Sequence, residues 1–226
     1  MDPKRRFAVI VAGGKGVRVG GSIAKQFIEV RGKPILVHTI EAFLNSSAQT
    51  IVVVISDSYL SLWAEIKKNW FSDTAIFVAS SGETRFESVK NGLDLVTGEG
   101  VVAIHDAARP CVTVEIIDTA YEQALKVGSA VPVIPLKDSI RKKIGNHSQA
   151  QDRAQYLSVQ TPQVFEIKLV KEAYRKAKSI QYTDDASVVE ALGVEVQLIT
   201  GAYQNIKVTT AEDLDLVDLY FKKKTD

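Results

Sequence analysis

Short apolar runs rich in β-branched residues alternate along the chain with stretches whose apolar positions recur every three or four residues. Phe7–Ala12, Ile51–Ile55, Ala75–Ala79, Val101–His105 and Ser129–Ile134 show no polar alternation, the pattern of strands buried on both faces. Between them Leu36, Val37, Ile40, Phe43 and Leu44 keep helical spacing behind Lys33-Pro34, where proline suits a first turn. Tyr59–Trp70, Thr84–Val96 and Val114–Lys126 read as the next helices. Strand–helix–strand repetition of this kind predicts right-handed crossovers and an α/β fold around a mostly parallel sheet.

The pattern breaks after Pro135. From Leu136 to Gln163 the chain is polar, with Gly145-Asn146-His147-Ser148 as a turn at its middle. Arg141–Ile144 and Tyr156–Val159 are read as the two legs of a hairpin, so residues 136–163 are expected to project as a β-arm; the competing reading is a loose loop. A projecting arm suggests a partner subunit. Helical pattern resumes at Lys168–Lys178 and Ala186–Leu192, strands are expected near Val194–Ile199 and Ile206–Val208, and Ala211–Tyr220 forms a last helix. The whole, residues 1–226, reads as one domain carrying the arm as an insertion.

Charge narrows the classes of partner. Lysine plus arginine number 28 against 27 acidic residues, for a net charge of +1, so no global field draws the chain to nucleic acid or membrane. Any anion site must therefore be local. The one cysteine, Cys111, cannot form a disulfide within the chain, which fits a reducing compartment. The apolar run behind Lys4-Arg5-Arg6 is short and ends in glycines, unlike a signal peptide. No apolar stretch approaches the roughly 20 residues of a membrane span. The expectation is a soluble, cytoplasmic protein.

The chemistry gathers at strand ends. The first strand runs into Ala12-Gly13-Gly14-Lys15-Gly16-Val17-Arg18, where glycines let backbone N–H groups close around phosphate oxygens. This is not a P-loop, and the third glycine and the ribose-binding acid of a dinucleotide site are missing. Two cations follow instead, Arg18 and Lys25, a pair suited to stabilising charge that builds during attack on phosphorus; a plain strand–helix turn with surface charges is the alternative. The third strand ends in Ser80-Ser81-Gly82-Glu83-Thr84-Arg85, with Ser88 one turn into the helix, and the fourth in His105-Asp106-Ala107-Ala108-Arg109-Pro110.

Ligands of open α/β sheets bind beyond the carboxyl ends of the strands, so the three motifs converge on one crevice. Asp106 suits a Mg²⁺ that bridges phosphates, or a helix cap or turn. His105 reads as a packing residue; His38 and His147 have no evident partner. Thr183 or Asp185 can cap the helix that follows. Lys207, among small polar residues on a late strand, is a phosphate contact or a lysine reaching outward.

These segments, in order along nearly the whole chain, resemble the 2-C-methyl-D-erythritol 4-phosphate cytidylyltransferases of the non-mevalonate isoprenoid pathway. The segments His105–Pro110 and Gln160-Thr161-Pro162-Gln163 make the ordered set specific. The resemblance implies a three-layer, Rossmann-like nucleotidyltransferase fold. It also implies transfer of CMP from CTP to methylerythritol phosphate with Mg²⁺. Arg18 and Lys25 would stabilise the transition state, and Arg153 and Lys207 would position the polyol phosphate. Cytidine would sit over Ala12, Gly13, Gly14, Gly16, Gly82, Glu83, Ser88 and Ala107. Asp106 would bind metal and touch substrate, with Arg109, Ser139 and Thr183 on the substrate side.

The arm would exchange across a homodimer, carrying Arg153 into the partner's site. Ribitol-5-phosphate cytidylyltransferases share the fold, the loop and the arm, and are the nearest alternative. The chain departs from the family's usual residues at Ala24 (proline), Val19 (methionine), Ser139 (threonine) and Glu83 (aspartate). Ala24 puts the pre-organisation of Lys25 in question.

Overall fold

The structure, a computed structural model, describes residues 5–14 and 24–225. Lys15, Gly16, Val17, Arg18 and Val19 lie outside the described residues. The strands are β1 (Arg5–Val11), β2 (Glu29–Val30), β3 (Lys33–Pro34), β4 (Thr50–Ile55), β5 (Ile76–Ser80), β6 (Gly100–Asp106), β7 (Ser129–Pro135), β8 (Ile140–Ile144), β9 (His147–Gln151), β10 (Leu157–Val159), β11 (Gln163–Glu166) and β12 (Leu198–Thr200). The helices are α1 (Ile35–Leu44), α2 (Leu60–Trp70), α3 (Arg85–Asp94), α4 (Val114–Val127), α5 (Ile167–Lys176), α6 (Asp185–Glu190) and α7 (Glu212–Thr225).

The central sheet runs β10-β7-β11-β6-β1-β4-β5, with β12 also paired to β7. β6, β1, β4 and β5 are parallel to one another. Their lack of polar alternation has a direct cause, because each strand feeds two cores. From β1, Ala8 and Ile10 join one core while Phe7 and Val9 join the other; β4 splits Ile51, Val53 and Ile55 from Val52 and Val54 in the same way. Phe43 of α1, Trp63 of α2 and Tyr121 of α4 cover the first face. Leu93 of α3, Val170 of α5 and Val189 of α6 cover the second. The result is the expected three-layer, mostly parallel, Rossmann-like arrangement.

Three readings of the sequence are corrected. The hairpin pairs β8 with β9, Ile144 opposite His147, so its turn is tighter and its second leg earlier than expected. Leu157–Val159 does not return along the arm; it joins β7 of the central sheet as an antiparallel strand. Cross-strand pairing to β7 offers these residues a continuous ladder, which an isolated ribbon cannot match. Ile206–Val208 is not a strand: it is a segment held by the Val208 N–H donating to the Ala108 carbonyl at 2.8 Å.

The sequence also hid a strand. β11 lies antiparallel between β6 and β7. Only Val164 and Phe165 mark it as apolar, and both are fully buried. Two residues between Gln163 and Glu166 are too short a run to show a period.

Candidate active site

The glycine-rich turn is built by its neighbours. Ala12 N–H donates to the Val54 carbonyl at 2.8 Å, which extends the sheet by one residue. The buried Gln26 amide then donates to the Ala12 carbonyl at 2.6 Å and the Gly14 carbonyl at 3.1 Å. Gln26 thus ties the start of the loop to the segment that carries Lys25. Gly13 is required by crowding, since a Cβ there would lie 2.4 Å from Cβ of Ser81. Gly14 has nothing within 4 Å of its missing Cβ and faces open space.

The second turn, after β5, meets the first. Gly82 N–H donates to Ser88 Oγ at 3.1 Å, and that hydroxyl donates to the Thr84 carbonyl at 2.9 Å. Thr84 and Glu87 form a reciprocal capping box at the start of α3, which fixes where Arg85 emerges.

At the end of β6, cations surround Asp106. Its Oδ2 lies 2.8 Å from Lys207 Nζ and 3.7 Å from Arg109 Nε, while Oδ1 lies 3.3 Å from Arg85 Nε. Burial opposes ionisation, but Arg85, Lys207 and Arg109 outweigh it and hold the carboxyl well below the usual carboxylate range. Arg85 in turn forms a bidentate pair with the fully buried Asp185, both contacts at 2.8 Å. Tyr174 OH donates to the same carboxylate at 2.6 Å.

His105 is a packing residue, as expected. Burial lowers its pKa to about 3, so it stays neutral. Nε2 sits 3.2 Å from the Arg109 carbonyl and Nδ1 3.0 Å from Thr161 Oγ1, which itself accepts from Asp106 N–H. A proton on Nε2 and a Thr161 hydroxyl donating to Nδ1 satisfy all three groups. His105 therefore sets the Asp106 backbone through Thr161. His38 also finds partners: its Nε2 is 2.8 Å from the Val30 carbonyl, and its ring stacks on Phe221 at 4.4 Å.

These groups line one cleft of about 670 Å³ beyond the carboxyl ends of the strands. It gathers Ala12, Gly13, Gly14 and Lys25 from the first turn, Gly82, Glu83, Thr84, Arg85 and Ser88 from the second, and Asp106, Ala107 and Lys207. A smaller cavity of about 360 Å³ at the other end of the sheet, near Glu99, Val127 and Lys168, holds none of them. Arg109 sits behind the cleft, donating to the Asn205 carbonyl at 2.8 Å. Three further expected residues do not line it either. Ser139 and Arg153 sit at the arm, where Arg153 donates to the Lys137 carbonyl; Thr183 is exposed ahead of α6. Gly16 and Arg18 lie outside the described residues.

Several contributors were not read from the sequence. Ser56 and Asp57 bring a fourth strand end, that of β4, to the cleft. Their position just after an apolar run was the available signal. Arg85 and Asp185 pair across 100 residues, which no local pattern encodes. The cap of α6 is neither Thr183 nor Asp185 but Asp184, whose carboxylate accepts from Ser187 N–H at 3.0 Å and from the Gln163 amide at 2.9 Å. Asp185 is freed for Arg85 by that arrangement.

A mostly parallel three-layer sheet, with a glycine turn and the lysines Lys25 and Lys207 at its carboxyl edge, is the arrangement of a Rossmann-like nucleotidyltransferase. The chain belongs to the 2-C-methyl-D-erythritol 4-phosphate cytidylyltransferase family, whose pattern matches residues 7–223. It is 46% identical over 215 residues to the 2-C-methyl-D-erythritol 4-phosphate cytidylyltransferase of Phocaeicola vulgatus, covering 95% of this chain and 98% of that protein. The Bacteroides thetaiotaomicron protein of the same name is 44% identical over 213 residues, 94% of this chain and 97% of that protein. Among solved structures, the 4-diphosphocytidyl-2C-methyl-D-erythritol synthase of Anaerococcus prevotii superposes with a TM-score of 0.85 at 26% identity, covering 97% and 96% of the two chains. The Thermus thermophilus cytidylyltransferase gives 0.77 at 28% identity over 95% and 98%.

Proposed function

We propose that this cleft transfers CMP from CTP to 2-C-methyl-D-erythritol 4-phosphate and releases pyrophosphate. The observation that carries the reading is the approach of two lysines from opposite ends of the chain. Lys25 Nζ donates to the Val208 carbonyl at 2.8 Å, and the adjacent Lys207 reaches Asp106 at the same distance. Both line the cleft beside the glycine turn.

In this reading Ala12, Gly13, Gly14 and Gly16 receive the nucleotide from one side, and Gly82, Glu83, Ser88 and Ala107 from the other. Lys25 and Arg18 stabilise the negative charge that builds as the polyol phosphate oxygen attacks the α-phosphorus. Lys207 and Arg153 hold the polyol phosphate, with Asp106, Arg109, Ser139 and Thr183 on the substrate side. The attacking phosphate is ionised at neutral pH, so orientation and charge stabilisation carry the reaction.

Mg²⁺ is the proposed cofactor. Among the described residues no group of three or more His, Cys, Asp and Glu converges. One buried carboxylate, Asp106, fits an ion that takes one or two carboxylates and completes its shell with phosphate oxygens and water. The ion would neutralise charge on the departing pyrophosphate.

The chain acts, in this proposal, as one domain whose β8–β9 hairpin is the arm that pairs two copies into a homodimer, while β10 and β11 belong to the central sheet. The exposed β8–β9 hairpin supports it. Among the described residues no helix is long and apolar enough to cross a membrane. The near-neutral charge argues against nucleic acid, and we assign the enzyme to the cytoplasm.

Pyrophosphate release from CTP, measured with methylerythritol phosphate and with ribitol 5-phosphate, tests the reading. Turnover with the first and little with the second is expected. Equal or better turnover with ribitol 5-phosphate would reassign the substrate.

A further inference from the structure

Arg85 stands at the first position of α3, and its guanidinium is used on two edges. Nη1 and Nη2 grip the two oxygens of Asp185, while Nε points to Oδ1 of Asp106 at 3.3 Å. The planar fork of arginine permits this double use, and the compact ammonium of lysine does not. Asp185 is itself held from the far side by Tyr174 OH, and the Tyr174 ring stacks on Phe86 at 4.6 Å. A buried ion pair of this kind is a poor way to gain stability, because desolvation offsets most of the attraction. Its construction makes sense as an orienting device.

The two oxygens of Asp106 have separate partners. Oδ1 faces Arg85; Oδ2 faces Lys207 at 2.8 Å and Arg109 at 3.7 Å. Without Arg85, the carboxylate would be free to turn both oxygens on Lys207 and Arg109. Lys207 would then be neutralised by a closer, more complete pairing, and less of its charge would remain for an incoming phosphate.

We propose that Arg85, set by Asp185 and Tyr174, is a positioning residue that engages one oxygen of Asp106 and so keeps Lys207 available to the phosphate of the polyol substrate. The proposal rests on the assignment of Lys207 to that phosphate. It makes the affinity for one of two substrates depend on the pairing of cleft-lining Arg85 with the buried Asp185. A purely structural Arg85–Asp185 pair would not discriminate between them.

The test compares Arg85→Lys, Asp185→Asn and Tyr174→Phe with the wild type, well below each variant's melting temperature. KM and kcat are measured for CTP and for methylerythritol phosphate, and CTP binding is measured separately by calorimetry. Arg85→Lys is expected to raise KM for the polyol phosphate by about tenfold, with KM and Kd for CTP within about twofold. Tyr174→Phe, which removes one hydroxyl and keeps the ring, shifts the same KM in the same direction by a smaller factor. It also serves if either charge variant fails to fold.

Lower melting temperature with unchanged KM for the polyol phosphate would overturn the proposal, as would equal rises for both substrates. If the wild type itself releases no pyrophosphate from CTP with methylerythritol phosphate, the assigned reaction fails, and the variants are not needed to see it.

Discussion

Lys25 Nζ donates to the backbone carbonyl of Val208 at 2.8 Å, joining residues 183 positions apart. The Val208 N–H in turn donates to Ala108, two residues beyond Asp106. One segment therefore holds Lys25 against the end of β6 and presents Lys207 beside it. Val208 can do this because its side chain is buried with Val30, Ile35, Ala108 and Val217 of α7. The C-terminal helix thus anchors the cationic side of the cleft through apolar contact.

Replacing Lys25 with alanine should leave the fold intact and lower turnover by roughly 10² to 10³, the usual effect of deleting one group that stabilises developing charge. Arg18→Ala should behave alike. Steady-state pyrophosphate release checks both, and turnover within threefold of wild type would remove that residue from the catalytic set.

Ala24 stands where the family resemblance leads one to expect proline. It is buried, with φ −63° and ψ 138°, close to the φ that a proline ring fixes. The chain thus adopts the proline-like conformation without proline. Ala24→Pro should stabilise by about 0.4–1 kcal/mol through the unfolded chain. Urea denaturation measures it; a clear loss of stability would mean the site does not accept the ring.

Gly13→Ala should weaken CTP binding and stability together. The added methyl would sit 2.4 Å from Ser81 Cβ, so the two glycine turns must separate. Calorimetry with CTP and a thermal melt read the two effects, and wild-type values in both would show that the turns are not tightly apposed.

Asp213 accepts from Thr209 N–H at 2.7 Å and Thr210 N–H at 2.9 Å, closing the turn that follows Lys207 and Val208. Partial burial opposes its ionisation, but these bonds prevail and lower its pKa. A carboxyl lowered on folding contributes stability that is present above its unfolded value of about 3.9 and lost as pH falls through the folded one. Asp213→Ala should therefore cost about 1 kcal/mol at pH 7, a difference that shrinks below about pH 4. Denaturation at both pH values decides, and a gap independent of pH would assign the cost to packing.

If arms cross between subunits, mixing Arg153→Ala with Lys25→Ala protomers should restore one working site per mixed dimer. Each parent alone should show only residual turnover. Absence of any recovery, with mixing confirmed by mass, would mean that each site is built within one chain.

Much of the fold was legible because it depends on local periodicity. β1, β4, β6 and β7 were readable because burial on both faces leaves uninterrupted apolar runs, and edge strand β5, whose Phe77 is exposed, was readable from its apolar run alone. The strand-end motifs could be assigned to one edge because parallel strands point the same way. β11 was not readable, since two apolar residues show no period. The second leg of the hairpin was misplaced because Leu157–Val159 is apolar enough for either pairing, and β7 competes for it.

The sequence by itself determined the layered sheet, the glycine turn and Asp106 at the end of β6, and it offered Lys25 and Lys207 as phosphate contacts without fixing where they meet. The tertiary structure decided who holds whom. That Gln26 closes the loop, that Asp184 caps α6 and so frees Asp185 for Arg85, and that Val208 receives Lys25 all follow from long-range partnerships. A buried donor or charge must find a partner wherever packing offers one, and only the closed fold brings those partners within reach.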